Sequence, residues 1–328
     1  MLRIIGALYF YLRFLPSFTR PAMWVRERGW TTPLPPLDGQ TWLVTGASDG
    51  IGKAISSLAL GLGANVIGVA RNKKALDEFA HSHHYTSRYQ GLTHDLSSMK
   101  EIRHLISQLE QSGEKIDVLV NNVGVMLHDA SITDEGFEKS FATNLLGHYA
   151  LTEWLCEAER LKPGARIINM SSGGMYNVPL LIDRLNENNP YNGTLAYALH
   201  KRAQVVLNDH WREEHPEHTY YVMHPGWVNT VGVATSLPRF HKLLGKILRS
   251  PRDGADTAIW LGATGPEQNE TGIWFDRKLR SAHIYGMTRK LSASGAHLSS
   301  YLNSKLESGN PEHFDDAASP ENSVRKAS

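Results

Sequence analysis

Short apolar runs alternate along the chain with longer segments whose apolar residues recur at helical spacing. The first run is Thr41–Thr45 (TWLVT), and Ile51–Leu62 follows it with helical spacing that ends at Gly63. The run Asn65–Ala70 (NVIGVA) and the segment Lys73–His81 then repeat the same order. Short apolar runs that end at turns are typical of strands, and helical spacing that ends at a glycine is typical of helices. Each apolar run and the segment after it therefore predict one strand followed by one helix.

The alternation continues to residue 223. Further strands are predicted within Tyr85–Thr93 and at Ile116–Val120, Ala165–Met170 and Tyr220–Met223. Further helices are predicted at Ser97–Ser112, where Ser97 is the candidate cap, and at Thr133–Glu159 and Leu195–Glu214. Short strands between helices are typical of βαβ units with right-handed crossovers. The sequence therefore predicts an α/β fold, a Rossmann-type doubly wound parallel sheet with helices on both faces in a single domain.

Three regions are distinguished by composition. Residues 1–38 combine an apolar leader with a Pro-rich linker, Thr31–Gly39, in which prolines fix φ and remove backbone donors. Residues 39–306 contain the alternating elements and the loops between them. Residues 307–328 are polar and lack periodicity, so a disordered tail is expected there.

The leader contains the apolar run Ile4–Leu15, which Arg13 interrupts. It is shorter than the roughly 20 residues that a membrane span needs. A signal peptide, a helix packed on its own domain and a peripheral membrane anchor through residues 1–20 are the three alternatives. For the anchor, the cations that suit anionic headgroups are Arg3, Arg13, Arg20, Arg26 and Arg28.

Charge and cysteine content narrow the function classes. The chain of 328 residues has 34 Lys and Arg against 33 Asp and Glu, so nucleic acid is not an expected partner. The single cysteine, Cys156, excludes an intrachain disulfide and is compatible with a reducing compartment. A cytoplasmic location is therefore expected, with association with a membrane as the alternative. The histidines at 81, 83 and 84 lack neighbouring carboxylate or thiolate ligands, so no metal site is predicted.

The first predicted strand leads directly into a glycine-rich turn, Thr45–Gly52 (TGASDGIG). Glycines at a strand–helix junction allow the backbone to approach a pyrophosphate, toward which the amides of the following helix point. This position in a βαβ unit makes the motif far more specific than a glycine loop alone. The candidate cofactor contacts here are Gly46, Ser48, Asp49, Gly50, Ile51 and Gly52.

The spacing T-G-x-x-x-G-x-G resembles that of the short-chain dehydrogenase/reductase family. Further motifs of that family follow in its order: NNVG at Asn121–Gly124, Asn144 in FATNLLGHY, Ser172 in NMSSGG, YALHK at Tyr197–Lys201 and HPG at His224–Gly226. The resemblance covers Thr41 to about Asp276. The motifs SSGGM, HPGW and FDRK resemble those of one vertebrate member of the family and its bacterial relatives. The resemblance implies an oxidoreductase that transfers a hydride to or from a nicotinamide cofactor.

Four residues are the expected catalytic set. Tyr197 and Lys201 are four apart on a helix and share a face, and a nearby ammonium is expected to lower the pKa of the phenol. Tyr197 would then act as general acid or base. The resemblance favours Ser172 over Ser171 as the hydrogen-bond donor to the substrate oxygen. It also implies that Asn144 fixes a helix irregularity and an ordered water.

The cofactor is expected to be NADP(H) rather than NAD(H). Strand two ends in VARNKK, so Arg71 occupies the place where an acid would select NAD, and its guanidinium suits a 2′-phosphate. The resemblance implies further contacts, together with Tyr197 and Lys201, at Asp95, Leu96, Asn122, Gly124, Pro225, Gly226 and Thr230.

Two long loops are expected to form the substrate pocket. The gap between Ser172 and Tyr197 is about ten residues longer than is common in the family, and its candidate lining residues are Tyr176, Val178, Leu180 and Leu181. A second loop, Val231–Arg249, contains Leu237, Phe240, Leu243 and Leu244. Apolar lids favour a lipophilic carbonyl or alcohol, while simple packing of the loops on the domain is the alternative.

The sequence also allows two other functions. One is a non-catalytic NADP(H)-binding sensor or partner-docking module, and the other is an epimerase or dehydratase with tightly held cofactor. Family members often form dimers or tetramers, so a homo-oligomer is a further expectation from the resemblance.

Overall fold

One eight-stranded sheet organises the protein, in the order β3-β2-β1-β4-β5-β6-β7-β8. A computed structural model describes residues 12–31, 33–82, 87–188, 190–290 and 292–308. The strands are β1 Thr41–Thr45, β2 Asn65–Ala70, β3 Tyr89–Thr93, β4 Ile116–Asn121, β5 Leu161–Met170, β6 Thr219–Met223, β7 Ile273–Phe275 and β8 Lys278–Arg280. β1 to β7 pair in parallel, and β8 is antiparallel to β7.

The strand order reverses between β1 and β4, which places a ligand crevice at their carboxyl ends. The central strands are apolar and buried on both faces, as parallel strands between helical layers must be. The predicted doubly wound parallel sheet is confirmed.

Helices cover both faces of the sheet. They are α1 Arg20–Glu27, α2 Gly50–Gly61, α3 Lys73–Ser82, α4 Met99–Ser112, α5 Lys139–Phe141, α6 Gly147–Glu157, α7 Gly193–Glu214, α8 Val231–Ser236, α9 Pro238–Leu244, α10 Pro251–Thr264, α11 Gly286–Lys290 and α12 Gly295–Ser308. One core layer packs α4, α6, α7 and α12 on the sheet, and the other packs α2, α3 and α10. Residues 307 and 308 belong to α12, and the rest of the expected tail lies outside the described residues.

Two local predictions are wrong. Ser98, not Ser97, caps α4 by accepting a hydrogen bond from the Glu101 N–H, because the Ser97 hydroxyl donates to Asp95 instead. The predicted helix Thr133–Glu159 begins only at Lys139. The residues before it form a turn closed by an Ile132–Glu138 bridge, and the buried Glu138 carboxylate caps α5.

The described part of the leader packs on the domain. Residues 12–18 are helical, and Phe14 and Phe18 are each 3% exposed in a cluster with Tyr176 and Phe275. Arg26 pairs with the Asp276 carboxylate at 2.5 Å, so the expectation that Arg26 serves lipid headgroups is wrong. Residues 1–11 lie outside the described residues.

No helix within the described ranges is both long enough and apolar enough to cross a membrane.

Replacing Phe18 by Ala tests this packing. The change empties a buried aromatic site and should lower the free energy of unfolding by about 3–5 kcal/mol, measured by urea denaturation. Val25→Ala, on the same leader but 69% exposed, is the control and should stay within about 0.5 kcal/mol of the parent. Equal small effects of both changes would show that the leader contributes nothing to the core.

Candidate active site

The glycine turn after β1 has no room for a Cβ at Gly46 or Gly52. Gly46 and Gly50 have φ values of +68° and +55°. A Cβ on Gly52 would lie 2.2 Å from the Gly46 carbonyl oxygen, and one on Gly46 would lie 2.8 Å from Asn122 Nδ2. Asp49 caps α2 by accepting from the Gly50 N–H at 2.7 Å. The turn therefore fits a pyrophosphate, which the amides at the start of α2 would hold.

Thr45 and Asn122 join the carboxyl ends of β1 and β4. The Thr45 hydroxyl donates to the Val120 carbonyl and accepts from the N–H groups of Asn122 and Val123. The Asn122 amide donates back to the Thr45 carbonyl at 2.8 Å. These bonds fix the loop that continues through Gly124 along the predicted cofactor crevice.

Arg71 lies at the end of β2, where its side chain is 59% exposed. Its guanidinium is 3.7 Å from the Asp95 carboxylate, which also accepts from the Ser97 N–H and hydroxyl. Arg71 lines a cavity of about 430 Å³ together with Lys139. The Leu96 side chain is buried, so only its main chain can face a ligand.

The residues after β6 close the crevice from the other side. The Thr230 hydroxyl caps α8 by accepting from the Val233 N–H, and a Cβ on Gly50 would be 3.4 Å from Thr230 Cγ2. Thr230 thus faces the glycine turn. Gly226 has a φ of +76° and lies beside Pro225 on the same loop.

A buried ion pair that sequence reasoning missed holds this loop. Arg249 is 1% exposed and donates to both Asp276 carboxylate oxygens, at 2.6 and 2.9 Å, and to the Pro225 carbonyl. It also donates to the Phe18 carbonyl, which in turn accepts from the Trp227 N–H at 3.0 Å. The signal available in the sequence was the FDRK phrase, which contains Asp276.

Lys201 and Tyr197 lie on one face of α7. The Lys201 ammonium is 5.6 Å from the centre of the Tyr197 ring and donates to the Met170 carbonyl at 2.7 Å. Lys201 is 2% exposed, and this burial lowers its pKa to about 7.

The two serines after β5 have different environments. The Ser171 hydroxyl is buried and donates to the Lys201 carbonyl at 2.7 Å. The Ser172 hydroxyl accepts weakly from the Gly174 N–H at 3.4 Å and hydrogen-bonds Tyr197. Ser172 is thus the serine beside Tyr197.

The pKa of Tyr197 is raised, mainly because burial disfavours the phenolate, and the Ser172 hydrogen bond offsets part of that rise. The lowered pKa expected from Lys201 is therefore wrong for the protein groups by themselves. Desolvation of the phenol dominates the shift of its pKa, and the group that opposes this shift is Ser172 rather than Lys201.

Asn144 lies at the centre of a π-helical turn, Ala142–Leu146. Its side chain accepts from the Val125 N–H and donates to the Val125 carbonyl, both at 2.7 Å. A Cβ on Gly147 would be 2.1 Å from the Leu96 carbonyl oxygen, so glycine is needed where the turn ends. Asn144 therefore ties the loop after β4 to the helix.

The loop between Ser172 and Tyr197 was expected to line the substrate pocket, but most of it packs on the domain. Tyr176 and Leu180 are 3% and 1% exposed and belong to the core, so their prediction as pocket-lining residues is wrong. Val178 and Leu181 are partly buried against the same core. The extra residues largely pack on the domain, because the 3₁₀ turn Gly173–Asn177 contacts α7 and Arg202 on that helix donates to the Met175 and Val178 carbonyls.

The second expected lid is helical. Residues 231–249 form α8, α9 and a 3₁₀ turn. Leu243 is 81% exposed and Val231 is 65% exposed, whereas Phe240 packs edge-on against Trp227. No cluster of His, Cys, Asp and Glu suited to a metal ion occurs among the described residues, which do not include His83 and His84.

Curated relatives match most of the chain. Human "Dehydrogenase/reductase SDR family member 12" is 37% identical over 259 residues, which cover 76% of this chain and 80% of the relative. Human polyprenol dehydrogenase is 33% identical over 270 residues, covering 76% and 81%, and human retinol dehydrogenase 14 is 29% identical over 294 residues, covering 82% and 86%. The first of these confirms the predicted resemblance to one vertebrate member of the family.

Solved structures share the fold. The RhlG/NADP active-site complex of Pseudomonas aeruginosa has a TM-score of 0.60 and 23% identity, with 79% of this chain and 99% of that chain covered. A short-chain dehydrogenase/reductase from Brucella melitensis has a TM-score of 0.59 and 22% identity, with 71% and 93% covered. The family model described as short chain dehydrogenase matches residues 40–239, and the chain belongs to the short-chain dehydrogenase/reductase family of oxidoreductases.

Proposed function

We propose that this oxidoreductase interconverts a lipophilic alcohol and its carbonyl compound with NADP(H), using Tyr197 as general acid and base. The observation that carries the proposal is the meeting of Tyr197, Ser172 and Lys201 at the carboxyl edge of the sheet, beside Gly124 in the loop after β4. When bound, the nicotinamide cofactor supplies or takes up the hydride.

The protein side chains handle the proton. During reduction the carbonyl oxygen gains negative charge, and the Tyr197 hydroxyl donates its proton to that oxygen. The Ser172 hydroxyl, which lies beside Tyr197, donates a hydrogen bond to the same oxygen and stabilises the developing charge. The Lys201 ammonium stabilises the phenolate left on Tyr197, and its lowered pKa allows it to pass a proton onward near neutral pH.

The preference for NADP(H) rests on Arg71. Its exposed guanidinium at the end of β2 is paired only loosely with Asp95, so it is free to meet a 2′-phosphate. Two structural neighbours, the RhlG complex and a blue fluorescent protein from a metagenomic library, contain NADP and NADPH. Gly46, Gly52, Asn122, Gly124, Gly226 and Thr230 would hold the rest of the dinucleotide.

The names of two relatives and two exposed apolar side chains support a lipophilic substrate. Polyprenol and retinol dehydrogenases are among the relatives. Val231 and Leu243 expose apolar surface on α8 and α9, which follow the loop that carries Thr230. Contact of residues 1–20 with a membrane surface and formation of a homo-oligomer stay predictions.

Tyr197→Phe keeps the ring and removes the hydroxyl that transfers the proton. With NADPH and a panel of lipophilic aldehydes, kcat should fall at least about 100-fold while NADPH binding persists. Tyr191→Phe, a phenol that hydrogen-bonds Ser140, is the control and should keep the parental rate. A fully active Tyr197→Phe enzyme would refute the mechanism, and tight NADPH binding without turnover by the parent would favour the sensor.

Arg71→Asp tests the cofactor preference. The change replaces a phosphate partner by a repelling carboxylate, so the Kd of NADPH should rise at least about tenfold while that of NADH changes much less. Lys74→Asp, three residues further along the chain and 85% exposed, makes the same charge change as a control. Equal weakening of NADPH and NADH by Arg71→Asp would contradict the assignment.

Lys201→Met tests the buried ammonium through stability. The folded pKa of about 7 lies below the ordinary 10.5, so between these pH values the unfolded chain binds a proton that the folded chain lacks. The free energy of unfolding of the parent should therefore rise with pH across this window relative to the variant, by at most about 1.4 kcal/mol per pH unit. If the difference in free energy of unfolding between the parent and the variant does not change with pH, the ammonium is solvated and the prediction is wrong.

A further inference from the structure

Two buried polar side chains, Gln204 and His148, meet beside the π turn, and Gln204 bonds its main chain. Gln204 follows Lys201 by one turn of α7 and is 2% exposed, and His148 follows Asn144 by one turn and is 1% exposed. Gln204 Nε2 lies 2.8 Å from the Asn144 carbonyl oxygen and 2.8 Å from His148 Nδ1. One amide nitrogen therefore bridges the helix of the catalytic pair and the helix of Asn144.

The hydrogen bonds define the chemistry of this bridge. The Asn144 carbonyl can only accept, so the amide group facing it is the NH2 of Gln204, and its second hydrogen is directed at His148 Nδ1. His148 Nδ1 then accepts, and the ring carries its proton on Nε2. Gln204 Oε1 has no hydrogen-bond partner among the described residues, so all directed contacts of this side chain come from its NH2.

The Gln204 hydrogen bond supports the π turn at one of its main-chain carbonyls. The i→i+5 hydrogen bonds of such a turn interrupt the helical repeat, and a buried main-chain carbonyl left unpaired is costly. Here the Gly147 N–H bonds the Ala142 carbonyl, and the Asn144 carbonyl receives the Gln204 N–H. The side chain of Asn144 hydrogen-bonds both main-chain groups of Val125 and lies 3.5 Å from His200 Nδ1, so displacement of the carbonyl would also displace the loop of Val125.

Charge adds a second constraint. Burial and the nearby Lys201 charge lower the pKa of His148 to about 3, although its interaction with the Val123 backbone opposes this. A cationic His148 would present an N–H to the N–H of Gln204 and a second positive charge to Lys201. A ring held neutral avoids both conflicts.

We propose that Gln204 is a positioning residue that fixes the Asn144 carbonyl and the neutral Nε2–H form of His148, and thereby the geometry of the Asn144–Lys201 region during proton transfer. The proposal rests on the proposed function for its kinetic consequence. Its structural consequence, the state of the His148 ring, does not depend on turnover.

The experiment compares Gln204→Met with the parent. Met has a similar length but cannot donate to either partner. We expect kcat to fall about tenfold or more with the Kd of NADPH within about twofold, since misplaced catalytic groups slow chemistry more than cofactor binding. In ¹⁵N-labelled protein, the ring nitrogens of His148 should lose the pattern of an Nε2–H imidazole with an accepting Nδ1.

Asn208→Leu is the matched control. Asn208 is a buried amide one turn further along α7 that accepts from Asn169 and donates to the Tyr220 carbonyl, without touching Asn144 or His148. It should lower the Tm but leave kcat and the His148 signals as in the parent. The proposal is overturned if Gln204→Met matches Asn208→Leu in both kcat and His148 signals.

The kinetic and NMR measurements distinguish a failure of the proposed function from a failure of the role of Gln204. A parent that binds NADPH but shows no turnover would refute the proposed function, while the His148 signals would still decide the role of Gln204. An active parent whose Gln204→Met variant keeps its kcat and its His148 tautomer would refute only the role of Gln204.

Discussion

A lysine ammonium held out of water at the carboxyl edge of the sheet governs the arrangement of the site. Lys201 donates to the Met170 carbonyl, and the exposed Gly124 is close enough that a Cβ there would lie 3.4 Å from its Nζ. Removal of an ammonium from water is costly, so its neighbours must be acceptors or neutral groups. The Met170 carbonyl, the neutral His148 and the phenol of Tyr197 satisfy that condition.

The same lysine connects stability and chemistry. Burial lowers the pKa of Lys201 toward neutrality, and this destabilises the folded state at neutral pH relative to one with a solvated lysine. In the proposed mechanism, the same lowered pKa makes Lys201 a suitable proton carrier beside Tyr197. In the proposed mechanism Tyr197, whose pKa is raised by burial, would rely on the Lys201 charge and on the Ser172 hydrogen bond. Functional sites commonly retain such costly groups because their perturbed pKa values are what the chemistry uses.

A second support lies outside the region that the family model matches. Phe18 packs against Gly173, where a Cβ would lie 2.4 Å from the ring, and its carbonyl accepts from Trp227 and Arg249. The leader thus contacts both the loop that follows Ser172 and the loop that carries Gly226. Because Arg249 and Asp276 are buried together, their charges are paired and hydrogen-bonded rather than exposed to solvent.

The sequence by itself determined the sheet, the glycine turn and the family motifs, because alternating apolar runs and glycine positions are local and periodic signals. It placed Tyr197 beside Lys201 because residues four apart share a helix face. It did not reveal the leader against Gly173, the Arg249–Asp276 pair, or the bridge from Gln204 to Asn144, each of which joins residues far apart in the chain. It also misassigned Tyr176 and Leu180, since an apolar residue in a loop has the same pattern whether it lines a pocket or fills a core. Burial and its electrostatic consequences, including the raised pKa of Tyr197, are properties of the packed interior, so only the tertiary structure decided them.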